Sequence, residues 1–170
     1  MKNIFFKQVL LFILLIFLQV WLFGNIRVFG FAAPLLYIYF IIKLPVNMNR
    51  SAVLGLSALL GFVIDIFGGT LGLCMTVLVI TGFLRFYLLK LFTPRDIFDE
   101  SVPSFSSFGK FLFMQYAGSV ALIQIILLFS IESFSLFNPL SLLLRIVSSF
   151  TLTILLIFAF ESVNFDVFKK

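Results

Sequence analysis

Two ionisable residues lie inside long apolar runs of this sequence: Asp65 in GFVIDIFGGTLG and Arg145 in NPLSLLLRIVSSF. A charge in such a run needs a reason, because an ionised side chain at membrane depth is costly and is normally paired or functional. Both residues stand a short way in from the same predicted end of their runs, so one reading is an Asp65–Arg145 ion pair clipping two helices together. A second is a carboxylate that caps the turn at Gly68 and Gly69. A third is a transported-ion or proton site, and a fourth is contact with a partner protein. A proton relay usually recruits several acids or a histidine, and the chain has no histidine.

Enzyme chemistry finds little to work with. Without histidine, the commonest general base and metal ligand is missing, and a Ser–His dyad is excluded. An intramembrane aspartyl protease needs two embedded aspartates, and only Asp65 qualifies. Cys74 is the single cysteine, which excludes an intramolecular disulfide and a thiolate metal cluster. No phosphate-cradling loop is present. The expectation is a non-enzymatic protein with no cofactor and no bound metal.

The remaining polar residues read as structural. Arg85, near the end of its apolar run, can snorkel to headgroups. Glu132 and Glu161 fall at helix ends, where solvation is the default. Gln19, Gln115 and Gln124 can bond between helices. Ser57 with Gly61, and Ala117 with Ala121, have the four-residue spacing of small residues that lets helices approach closely. Gly68 and Gly72 share that spacing but stand at a turn.

The elements that must position these residues follow from composition. Of 170 residues, 62% are hydrophobic and 11% charged, and 26 are phenylalanine. Soluble domains carry about 25% charged residues, so the solvent for this surface is lipid. Runs long enough for a bilayer core of about 30 Å predict six helices, at roughly 4–23, 28–42, 51–67, 71–89, 110–131 and 138–160, in one transmembrane domain. The first begins behind Lys2 and Lys7 and lacks a small-residue cleavage site, so it reads as a retained anchor. The second is short for a span and contains Pro34. The stretch 93–109 (TPRDIFDESVPSFSSFG) reads as a polar loop.

With six spans, one side receives Lys2, Lys7, Lys43, Arg50, Lys90, Arg95, Lys110, Lys169 and Lys170, and the other only Arg27. The positive-inside rule then puts both termini and the 90–109 loop in the cytoplasm. Cations dispersed in this way do not form the dense basic face that nucleic acid requires.

The block from Ser51 to Asp96, with GFVIDIFGGTLGL followed by LRFYLLKLFTPRD, resembles the rod shape-determining MreD family in its Bacteroidota form. Gly61 and Asp65 match the family's GxxxD spacing, and Gly69, Leu71 and Gly72 match its turn. Thr70 stands where many members have proline. Leu84, Arg85 and Tyr87 running into Thr93-Pro94-Arg95-Asp96 are also similar, as is the layout of the last two helices, with Arg145 in the sixth.

The resemblance implies a six-helix inner-membrane subunit of the bacterial cell-elongation machinery. Such a protein associates with the bitopic protein MreC and, through it, with the MreB cytoskeleton and cell-wall synthases. Its layout is similar to the substrate-binding subunits of energy-coupling-factor transporters, which supply the alternative function of vitamin binding. That alternative needs an outward polar pocket, for which Asp65, Glu132, Arg145 and Asn138 are the lining candidates. On the scaffold reading, the small-residue face at Ser57 and Gly61 is where MreC's helix is expected to pack.

Overall fold

The computed structural model describes residues 2–23, 34–70, 72–93, 102–132 and 139–167, and every regular element among them is helical. Helix α1 (Lys2–Phe17) continues into a π-helical stretch, Leu18–Phe23. There follow α2 (Ile38–Ile42), α3 (Arg50–Gly68), α4 (Leu73–Phe92), a single turn α5 (Phe105–Phe108), α6 (Lys110–Glu132) and α7 (Pro139–Val167). Helices α3, α4 and α6 and the Leu142–Val163 part of α7 are long and apolar enough to cross a membrane, which marks the chain as a membrane protein. The apolar stretch of α1 and its π-helical continuation among the described side chains, Gln8–Trp21, is shorter.

Helices α3 and α4 form the tightest hairpin, and glycine makes it so. A Cβ on Gly61 would lie 2.3 Å from the Met75 Cα, and one on Gly82 would lie 2.6 Å from the Ser57 Oγ. Only a residue without a side chain admits such approach, so Gly61 and Gly82 set the spacing at two levels of the pair. The turn between the helices uses positive φ at Gly69 (66°) and Gly72 (75°), the left-handed region that glycine enters at little cost. Helix α6 then packs on α4, and α7 on α6.

The predicted second span, 28–42, takes a different form where it is described. Residues 34–37 are irregular, and only the five residues of α2 are helical. At 1.5 Å per residue such a helix covers about 7.5 Å. The segment is also enclosed: Leu35 through Ile42 are each at most 5% exposed. Irregular backbone at membrane depth is tolerated only when protein satisfies its polar groups, and protein does so here. The Gln19 amide donates to the Pro34 carbonyl (3.1 Å) and accepts from the Leu36 N–H (2.9 Å). The Leu35 N–H donates to Thr153 Oγ1 (3.3 Å).

The outward faces stay apolar. Leu59, Phe62 and Ile66 on α3, and Leu140, Leu143, Leu144 and Val147 on α7, are each at least half exposed. Lipid is the solvent that suits such faces.

Candidate functional site: buried charges at the two ends of the bundle

Asp65 lies in the last turn of α3, 6% exposed, and its carboxylate caps the neighbouring helix. Oδ1 accepts from the Cys74 N–H (2.9 Å) and Oδ2 from the Met75 N–H (2.9 Å). These amides belong to the first turn of α4, where backbone N–H groups have no intrahelical acceptor and the helix dipole favours an anion. The Thr70 hydroxyl also donates to Oδ1. Thr70 thus ties the turn to the same carboxylate that caps α4. Expected to cap the turn at Gly68 and Gly69, the carboxylate instead takes its backbone donors from the first amides of α4.

Asp65 makes no ion pair with Arg145. The ion pair among the described residues is Lys43–Glu161. Arg145 is half-buried on α7, and its Nε is buried without a hydrogen-bond partner. Gly69 and Gly72 shape the turn that lets Asp65 reach α4, while Gly61 and Ser57 are covered by α4 itself. The face expected to receive MreC's helix is therefore filled from within the chain, because Gly61 and Gly82 let α4 pack closely there.

The opposite end holds a cluster that sequence reasoning missed. Glu161, expected at a solvated helix end, is 2% exposed. Its carboxylate accepts from both sides of one ammonium, with Lys43 Nζ 2.9 Å from Oε1 and 2.8 Å from Oε2. The Tyr39 hydroxyl donates to Oε2 (2.7 Å) and the Phe105 N–H to Oε1 (3.1 Å). Lys43 also donates to the Pro103 carbonyl (3.0 Å) and lies 5.5 Å from the centre of the Phe113 ring. Burial pushes the Lys43 amine below its ordinary value of 10.5, and the Glu161 carboxylate pulls it partly back.

This cluster joins the chain after α2, the α5 turn and the end of α7. Phe105 and Phe108, both 4% exposed, tuck in beneath it, with Phe105 edge-on to Phe113 at 5.2 Å. Part of the predicted polar loop is thus a packed strap. Residues 94–101 of that loop lie outside the described residues.

Arg85 also departs from expectation. It is fully buried rather than reaching outward, and Nη2 donates to the Leu44 (2.5 Å) and Pro45 (3.2 Å) carbonyls. Those carbonyls follow α2; that of Pro45 also accepts from the Met48 N–H (3.4 Å), and the guanidinium reaches both from within the bundle. Thr81 donates to Gln124 Oε1 (2.5 Å), and the Gln124 amide reaches the Tyr37 hydroxyl (3.5 Å). Gln19 and Gln124 thus bond between elements as expected, while Gln115 is exposed.

A sequence signal for Glu161 did exist. Ser149, Thr153, Ile157 and Glu161 recur every four residues on α7, and all four are buried. That spacing marks one inward helix face. Chemically, both carboxylates are already hydrogen-bonded on each oxygen, and among the described residues no three His, Cys, Asp or Glu side chains converge. Compared with known proteins, the chain matches no family model, no curated sequence and no solved structure.

Proposed function

We propose that this chain is a non-enzymatic inner-membrane scaffold of the bacterial cell-elongation machinery, holding an MreC-like bitopic protein. On this reading it links indirectly to an MreB-like cytoskeleton and to cell-wall synthases. The observation that carries the reading is that both buried carboxylates among the described residues serve architecture. Asp65 caps α4 and Glu161 ties α2, α5 and α7 together, so both acids hold the bundle in one shape. A rigid body presenting lateral apolar faces suits a partner that binds helix against helix. The resemblance of the Ser51–Asp96 block to the MreD family supplies the identity of that partner.

The proposal includes six passes with both termini cytoplasmic. Supporting it, α1 runs antiparallel to the 34–42 segment, since Gln19 meets Pro34 and Phe12 meets Phe40 (5.1 Å). Helix α7 runs parallel to that segment, as Thr153 meets Leu35 and Glu161 meets Lys43. Six alternating passes would give the first, second and sixth segments these same relative directions. With α3's small-residue face occupied, α7, the least buried of the four long apolar helices, offers the most surface to a partner's helix.

The test is co-purification of the tagged chain from its native membrane with mass spectrometry of what comes with it. Recovery of a bitopic MreC-like protein is the expected result. Recovery instead of paired ATPases and a coupling membrane subunit would replace the scaffold with the vitamin-transport reading.

A further inference from the structure

We propose that the groove between the start of α3 and the last turns of α4 binds the phosphate of an anionic phospholipid, whose acyl chains lie along the exposed side of α4. The groove is lined by Arg50, Phe83, Phe86, Tyr87 and Lys90. Residues 83, 86, 87 and 90 share one stripe of α4, on the side away from the buried Thr81, Arg85 and Leu89. Arg50 reaches over from α3, its guanidinium carbon 5.5 Å from the centre of the Phe86 ring. A guanidinium lying over a ring keeps N–H donors free for an acceptor at the edge.

Among the described residues no carboxylate lines the groove, and the ion pair among them joins Lys43 to Glu161. Two cations sharing a groove repel each other, and a phosphate offers both of them charge-assisted bonds. The groove also has an apolar wall. Phe83 and Tyr87 meet edge to face at 5.7 Å, are 47% and 60% exposed, and Ile80 continues the surface toward the middle of α4.

A ligand that answers both parts has an anionic head and hydrocarbon tails. A zwitterionic headgroup would bring a third cation to the groove, which selects for a headgroup of net negative charge. Basic pockets between helix ends are a recurrent form of such recognition. The inference rests on the membrane reading and is independent of the elongation-scaffold reading.

The experiment is native mass spectrometry of the intact chain, extracted from membranes in detergent and mixed with equal amounts of phosphatidylglycerol and phosphatidylcholine. Recovery in the membrane fraction comes first, since its failure would defeat the membrane reading itself. The expected preference for phosphatidylglycerol is about tenfold, falling to near parity in Arg50→Gln/Lys90→Gln and partly in each single variant. Lys169→Gln/Lys170→Gln removes the same charge at other positions of the sequence and retains the preference. Excess glycerol 3-phosphate leaves the adduct in place. Parity in the wild-type chain, an unchanged preference without Arg50 and Lys90, or equal loss in both double variants would each overturn the site. Displacement by glycerol 3-phosphate would assign the groove to free phosphate and overturn the lipid. If the double variant fails to fold, the single variants carry the same comparison.

Discussion

Asp65 and Glu161 are buried to a similar degree at opposite ends of the bundle, yet their charges are answered by unlike means. No cation among the described residues pairs with Asp65. Two amides at the start of α4 and one hydroxyl face it, and the helix supplies the positive field. Glu161 has a full ammonium on both oxygens, with a phenol and an amide completing the set. The first arrangement concerns one helix junction. The second concerns three stretches of chain that are far apart in sequence. A helix terminus can therefore hold a lone carboxylate at membrane depth, whereas an ion pair must be completed from a distance and fails as a unit.

The sharpest test of that contrast is Glu161→Ala. It strands a largely buried ammonium, and the expected loss is about 3–5 kcal/mol, read as thermal or denaturant unfolding in nanodiscs. The double variant Lys43→Met/Glu161→Leu should cost less than Glu161→Ala alone, because no uncompensated charge remains. If the double variant is the worse of the two, the pair contributes net attraction beyond cancelling its own desolvation.

Gly61→Ala comes next and probes the junction at the Asp65 end by sterics alone. Its Cβ meets the Met75 backbone, so the helices must separate, and the expected cost is about 1–3 kcal/mol. Asp65→Asn is smaller, at about 1–2 kcal/mol, since the amide keeps one acceptor and loses the other together with the charge. Measured in the same nanodiscs, a loss in Asp65→Asn equal to that of Glu161→Ala would erase the distinction between the two ends.

The smallest effect is on pH dependence. Because Lys43 sits below 10.5 in the folded chain, between its lowered value and 10.5 the unfolded state binds more protons there. Stability contributed by this group therefore rises with pH across that window. The difference in unfolding midpoint between wild type and Lys43→Met should grow in favour of wild type as pH approaches 10.5. A flat difference would mean that Lys43 titrates as an exposed lysine does.

Much of the architecture was legible in the residues themselves. Hydropathy alone marks four of the spans, since apolar length and the charges that bound it are local properties. The end of α3 at Gly68 and Gly69 and the interhelix role of Gln124 follow from local chemistry in the same way. Other assignments required the packed chain. Ser57 and Gly61 form a close-approach face in sequence, but which helix fills it depends on Gly82 and Met75, and α4 takes it. The 28–42 run is apolar enough to suggest a span, yet enclosure by neighbouring helices lets residues 34–37 stay irregular, their groups satisfied by Gln19 and Thr153. Lys43 and Glu161 stand 118 residues apart, so each read alone is a charge at a helix end. A side chain's burial is set by what packs against it, and for these residues that neighbour comes from a distant part of the chain.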